Sequence, residues 1–232
     1  MIKPLVSVIT VTYNAIATVE SSILSVLAKQ NGYIEYIIID GGSTDGTVDV
    51  LEKYDKNIDY WISESDHGIY DAMNKGIAQA SGEFLYFLGA DDILLNIPFG
   101  KLKNVDLLLG NVDLGFSIFS HTQPFDKLKK KMRFRNAIHP QGTFYKKLGI
   151  EYRLDFKACS DYAFNIEYIK SVTRVEYIDD LVASFSTAGA SSGLSAKKEI
   201  IGIAMHEYGL FAGIKSLAYH TYSAITSIAR EK

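Results

Sequence analysis

The sequence predicts an α/β fold built on a mainly parallel sheet, and three observations carry that expectation. From Leu5 to Leu88, β-branched apolar runs alternate with segments of helical periodicity, the rhythm that right-handed crossovers make in a parallel sheet. The run Phe84-Leu85-Tyr86-Phe87-Leu88 shows no polar alternation, as expected of a strand buried on both faces. It ends in Gly89-Ala90-Asp91-Asp92, placing two adjacent carboxylates at the carboxyl end of a strand, where open α/β sheets form their ligand crevice. An aspartate there can also cap a turn or a helix, so the pair gains meaning only with its companions.

Taken in order, Leu5 to Thr12 reads as the first strand and delivers Thr12, Tyr13 and Asn14 to the crevice. Val19, Ile23, Val26 and Leu27 recur at helical spacing and predict a helix from Ala15 to Lys29 with one buried face. Glu35 to Asp40 is a second buried strand ending in a carboxylate. The glycines and N-cap residues of Gly41-Gly42-Ser43-Thr44-Asp45-Gly46-Thr47 then precede a helix carrying Val48 and Leu51. A third strand, Ile58 to Ser63, leads through Asp66 to a helix. Its stripe is read as Ile69, Met73, Ile77 and Ala80, leaving Asp71, Asn74 and Lys75 free for solvent or ligand.

Beyond Pro98 the rhythm changes. Val105 to Leu114 and Phe116 to Phe119 read as strands, and Lys127 to Arg135 holds six basic residues in nine. Such a run is most often a solvated face; the sharper alternative is a contact for an anionic ligand or lipid surface. Asp161 opens a helix containing Phe164, Ile166 and Ile169. From Lys197 onward the chain is helical, with Leu210, Ile214, Leu217, Thr221, Ile225 and Ile228 on one side, expected to pack on the core or on a second copy, with shallow membrane contact as the alternative.

Composition narrows the class. With 232 residues, 47% hydrophobic and 22% charged, the chain is of ordinary globular type and long enough for a single α/β domain. A net charge of −3 gives no bias toward nucleic acid. The lone Cys159 excludes an intramolecular disulfide and a cysteine-rich zinc site, and reads as a small buried residue. No apolar stretch reaches a bilayer span and the amino terminus lacks a signal-peptide pattern. The expected address is cytoplasmic, with the inner face of the cell membrane as a peripheral contact.

The strand ends bring Tyr13, Asp40, Asp66, Asp91 and Asp92 to one edge. An aromatic face stacks on a nucleobase, a carboxylate accepts from base or ribose, and adjacent carboxylates hold a divalent cation against a diphosphate. Gly41, Gly42 and Gly46 do not make a G-x-G-x-x-G spacing and no Walker lysine motif occurs, which argues against hydride transfer and P-loop hydrolysis. Such a crevice suits a nucleotide bearing a diphosphate and a transferable group, with a nucleotidyltransferase and a catalytically inactive nucleotide-binding module as alternatives to a transferase of that group.

Four segments in this order and separation carry a resemblance: Val6 to Asn14, Glu35 to Thr47, Asp71-Ala72-Met73-Asn74-Lys75-Gly76, and Gly89-Ala90-Asp91-Asp92. Together they resemble the family-2 glycosyltransferases of GT-A fold that build bacterial surface polysaccharides. The resemblance implies a single Rossmann-like GT-A domain over residues 1–195, divided into a nucleotide-sugar half (1–112) and an acceptor half (113–195). A helical extension, 196–232, is expected to pack on it. It further implies inverting transfer of one sugar from a nucleotide diphosphate sugar, UDP-sugar foremost, to a saccharide or lipid-linked saccharide. The implied nucleotide contacts are Thr12, Tyr13, Asn14, Asp40, Asp66, Asn74 and Asp91. Asp91 and Asp92 would hold Mg²⁺ or Mn²⁺, Asp161 would be the base, and His139 and Gln141 would face the acceptor, with His139 equally read as a structural histidine fixing the loop before Pro140.

The sequence also departs from the family. Gly89 stands where many relatives carry aspartate, and Ser160 where a glutamate often precedes the base. The only tryptophan is Trp61, and the Gln-x-x-Arg-Trp motif of processive members is missing, which favours single transfer over polymerisation. The resemblance implies that Gly189 to Gly193 is a loop that orders over the bound nucleotide; read from its residues alone it is equally a linker to the terminal helices.

Overall fold

A computed structural model describes residues 3–121, 124–186 and 194–230, with Leu194 and residues 224–230 described by backbone alone. The expected loop at Gly189 to Gly193 lies outside the described residues. In chain order the elements are β1 (Val6–Thr12), α1 (Val19–Leu27), β2 (Ile34–Asp40), α2 (Thr47–Lys53), β3 (Tyr60–Ser63), α3 (Ile69–Gln79), β4 (Phe84–Gly89) and β5 (Ile93–Leu94). They continue with β6 (Leu107–Asp113), β7 (Ile118–Phe119), α4 (Phe125–Met132), β8 (Thr143–Lys146), α5 (Ser160–Ser171), β9 (Val175–Ser184), α6 (Leu194–Tyr208) and α7 (Leu210–Arg230).

One sheet runs in the order β3-β2-β1-β4-β8-β6-β9-β5, with β7 paired to β6. Its first four strands are parallel, as the β-α alternation requires. The second half adds antiparallel partners: β8 lies against both β4 and β6, so the buried strand β4 is parallel on one side only. By pairing, β6 lies between β8 and β9.

Period-two alternation splits the apolar residues onto two faces. Ile9, Ile37, Ile39, Leu85 and Phe87 pack with α3, α5 and α6 on one side. Val8, Tyr36, Ile38, Tyr86 and Leu88 pack with α1 and α2 on the other. Helix α6 buries Ala196, Ile203 and Ala204 in the first of these cores, so it is a layer of the domain.

Three helical expectations need correction. The first helix starts at Val19 rather than Ala15. The preceding residues are drawn to the next loop instead, with Ala15 N–H donating to Thr47 Oγ1 and Ile16 N–H to Asp45 Oδ2. On α3 the buried face is Tyr70, Ala72, Gly76 and Ile77, whereas Ile69 is 51% exposed. Gly76 sets this rotation by letting the helix close on Ile9 of β1, a contact that any side chain would block. On α7 the small residues face inward, Gly213 against Met205 and Ser216 fully buried, while Leu210, Ile214 and Leu217 are exposed. Of the partners expected for this stripe the core is thereby excluded, while a second copy and a membrane surface are not; Ile225 and Ile228 fall among the residues described by backbone alone. Among the described residues no helix is long and apolar enough to cross a membrane.

Candidate active site

Register places Thr12, Asp40 and Ser63 side by side at the carboxyl ends of β1, β2 and β3. Asp40 is fully buried and its carboxylate is saturated from within the chain. Oδ2 accepts from Gly42 N–H (3.1 Å), Ser43 N–H (2.8 Å) and Ser63 Oγ (2.6 Å), and Oδ1 accepts from Ser43 Oγ. In this structure Asp40 shapes the 41–43 turn. Asn14 is tied to the same turn: its backbone sits in the left-handed region at φ 49°, and its Oδ1 accepts from Thr44 N–H at 2.9 Å.

What remains open at this end is a slot around Gly41. A Cβ there would lie 2.6 Å from Asp66 Oδ2 and 3.4 Å from the ring of Tyr13, so the ring and the carboxylate converge over that glycine. Tyr13 is 65% exposed, and the buried Oγ1 of Thr12 has no partner. An exposed aromatic face, a carboxylate and an unpartnered hydroxyl are the groups a nucleoside needs. Gly41→Ala is expected to leave the melting temperature nearly unchanged, because the Asp66 carboxylate can swing aside. Displacing it should weaken nucleoside diphosphate binding about tenfold, the order of one hydrogen bond to a charged group. Titration calorimetry reads the difference, and unchanged affinity would remove Asp66 from the site. Asn74 is not brought to this slot. Its amide donates to Tyr152 O and accepts from Tyr152 N–H, both at 2.8 Å, which clamps α3 to the segment before α5.

The acidic pair lies where β4 ends. Asp92 is 1% exposed; Oδ2 accepts from Gly89 N–H at 3.0 Å and Oδ1 from Ser186 N–H at 2.9 Å. A Cβ on Gly89 would meet Asp92 Oδ2 at 2.5 Å and Asp91 Oδ1 at 3.0 Å. The two carboxylates thus lean over a glycine where many relatives carry a side chain. Burial, reinforced by the neighbouring Asp91 charge, pushes Asp92 up to about 6. Two crowded carboxylate oxygens with acceptor capacity left suit a hard divalent cation such as Mg²⁺ or Mn²⁺. Among the described residues no group of three acidic, histidine or cysteine side chains forms a metal cluster. The other ligands would come from diphosphate and water.

Asp161 occupies the first turn of α5. Asn136 Nδ2 donates to its Oδ2 at 2.7 Å, and the Tyr70 hydroxyl lies 3.4 Å from Oδ1 while donating to Ala158 O at 2.9 Å. Asn136 is itself oriented: Tyr145 Oη donates to Asn165 Oδ1 (2.8 Å), and Asn165 Nδ2 donates to Asn136 Oδ1 (3.2 Å). Behind this relay stands an aromatic wall in which Tyr152 stacks on Phe164 at 4.3 Å and on Tyr70 at 5.4 Å. Burial raises Asp161 to about 6, against the hydrogen bonds that favour its charged form. A carboxylate of that basicity is suited to take a proton near neutral pH.

The approach to α5 is fixed from the carboxy-terminal helices. Glu199 of α6 accepts from the N–H groups of Lys157 (3.1 Å), Ala158 (2.9 Å) and Cys159 (3.0 Å). Sequence reasoning missed Glu199, Asn136, Asn165 and Tyr70. Of these, Tyr70 directly precedes the Asp71 to Gly76 segment and Asn136 lies three residues before His139, so both stood beside recognised motifs.

Residues 136–141 connect the two acidic centres, with Asn136 on Asp161 at one end and Gln141 beside Asp92 at the other. Tyr86 Oη donates to the Gln141 carbonyl at 2.7 Å. His139 lies between them, but its ring is edged by Phe119 (5.3 Å) and Phe185 (4.8 Å) and its Nδ1 has no partner. Burial lowers it to about 4, so the ring is neutral at physiological pH. Its backbone N–H donates to His121 Nε2, whose Nδ1 donates to Gly110 O, fixing the tautomer of His121.

This arrangement, on this fold, belongs to a known class. Residues 7–164 match glycosyl transferase family 2, and the chain belongs to that family. It is 31% identical over 218 residues to a PGL/p-HBAD biosynthesis glycosyltransferase of Mycobacterium tuberculosis, covering 87% of this chain and 84% of that one. Among solved structures, S. aureus TarS superposes with a TM-score of 0.70 at 20% identity. The match covers 88% of this chain and 39% of TarS. Glucosyl-3-phosphoglycerate synthase of Mycobacterium tuberculosis, in complex with Mn²⁺, UDP and glucosyl-3-phosphoglycerate, superposes at 0.61 with 17% identity, covering 89% and 81%. These two likenesses establish the shared fold.

Proposed function

We propose that the chain is an inverting, divalent-metal-dependent glycosyltransferase that moves one sugar from a nucleoside diphosphate sugar, UDP-sugar foremost, to a hydroxyl of a saccharide or lipid-linked saccharide. The observation that carries the proposal is the pairing of two acidic centres by residues 136–141: a crowded carboxylate pair at one end and a single raised carboxylate at the other. Family membership and the Mn²⁺–UDP complex of the synthase support it.

In this scheme Tyr13 stacks on the base, with Thr12 and Asp66 beside it, and Asp40 holds the turn that carries Gly41. A cation held by Asp91 and Asp92 would neutralise charge on the diphosphate. Asp161 accepts the proton of the acceptor hydroxyl as its oxygen bonds to the anomeric carbon. The bond from that carbon to the diphosphate breaks on the opposite face, and the leaving group keeps the electron pair. Asn136 and Tyr70 hold Asp161 in orientation throughout. One displacement inverts the anomeric centre. The test is the anomeric configuration of the first product by NMR, once a donor is found by screening. A configuration opposite to the donor's is expected, and retention would remove Asp161 from its role as base.

A further inference from the structure

The exposed side of α7 and the basic helix α4 form one surface. Leu210, Phe211, Ile214 and Leu217 project from α7, Phe211 being 89% exposed, and residues 208–230 contain no acidic side chain. Beside them Lys127, Lys129, Lys130 and Arg133 are exposed, with Asp126 the only acid of α4. The segment that follows α4 joins it to α7. Arg135 donates to Tyr219 Oη at 2.8 Å, Phe134 meets the Tyr219 ring at 5.7 Å, and Lys215 Nζ lies 4.8 Å from the Phe134 ring. Lys215 follows Phe211 by four residues, so it borders the apolar stripe. Under the same edge is a cavity of about 90 Å³ lined by Lys131 and Arg135, and Arg135 Nε is buried without a partner.

We propose that this face docks on an anionic lipid surface, the stripe of α7 entering the headgroup boundary while the α4 cations meet lipid phosphates. An apolar stripe rimmed by cations fits that occupant. A second copy fits poorly, since a two-fold pair over this face would set the same cationic rim on both sides. The rim also leads straight into the chemistry: Arg135 is followed by Asn136, the donor to Asp161. Resting on the transferase function proposed above, docking here brings Asp161 to an acceptor carried at the membrane surface, which selects the lipid-linked class.

The test is co-sedimentation of the full chain with phosphatidylcholine vesicles, with and without phosphatidylglycerol, at low and high salt. Binding only to the anionic vesicles, weakened by salt, is expected. Lys127→Gln with Lys130→Gln should weaken it roughly 25-fold, at about fivefold for each lysine removed from the surface. Phe211→Ser with Leu217→Ser should weaken it at low and high salt alike. The proposal is overturned if wild type ignores anionic vesicles at low salt, if both double variants bind as wild type does, or if the chain is a dimer that Phe211→Ser dissociates. Donor hydrolysis without acceptor should be unchanged in all these variants, so its absence from wild type as well would count against the transferase, and a vesicle result alone against the docking face.

Discussion

Asp161→Asn is expected to lose sugar transfer by about three orders of magnitude while the protein becomes more stable. The rate loss follows from removing the carboxylate proposed to take the acceptor proton, within the usual range for general-base catalysis of roughly 10²–10⁴. The stability gain follows from linkage. Asp161 titrates near 6 in the folded chain against 3.8 ordinarily, so the folded state binds the proton more tightly and wild-type stability falls as pH rises from about 4 to 6. Above pH 6 the asparagine variant, which keeps an acceptor for Asn136, should be more stable by up to about 3 kcal/mol; below pH 4 the gap should close. Denaturant melts at pH 4 and pH 8 measure this, and a variant destabilised equally at both would show that the raised basicity is not a property of this site. The same carboxylate should give wild-type kcat/KM an acid limb near pH 6.

Asp92→Ala is expected to act on the donor instead. Asp92 holds Gly89 N–H and Ser186 N–H and leans with Asp91 over Gly89, so alanine removes one half of the proposed cation site and releases the segment at Ser186. Donor turnover should fall by roughly 10²–10³, the order of a lost charge-stabilising group, and Mn²⁺ should no longer tighten nucleoside diphosphate binding. Asp161→Asn should retain that tightening. This difference separates the two acidic centres in a single titration series.

The part of the molecule written locally was legible. Runs such as Ile37-Ile38-Ile39-Asp40 and Phe84 to Leu88 declared buried strands, and both lie at the centre of the sheet, β2 ending at Asp40 and β4 at Gly89 just before Asp91 and Asp92. Less legible were side chains whose partners are distant in the chain. Asp161 could be named, but Asn136 and Tyr70, 25 and 91 residues away, come to it only through the packing of α3 and α5. Glu199 reaches back 40 residues to Cys159 from a helix that read only as a terminal support. Asn74 was placed with the nucleotide because it lies off the apolar stripe, yet it is taken up by Tyr152, a partner no spacing reveals. On α7, counting large apolar residues found a real stripe but could not say what it faces: Gly213 and Ser216 allow the close approach to α6 and leave Leu210, Ile214 and Leu217 outside, which excludes the core as their partner.

The most direct measurement is release of nucleoside diphosphate from a panel of nucleotide sugars, with Mn²⁺ and then with chelator, by wild type and Asp92→Ala. Metal-dependent release from one donor, lost on chelation and in the variant, is the predicted result. Contradiction would be a wild-type protein that neither releases a nucleoside diphosphate nor binds any donor in the presence of Mn²⁺.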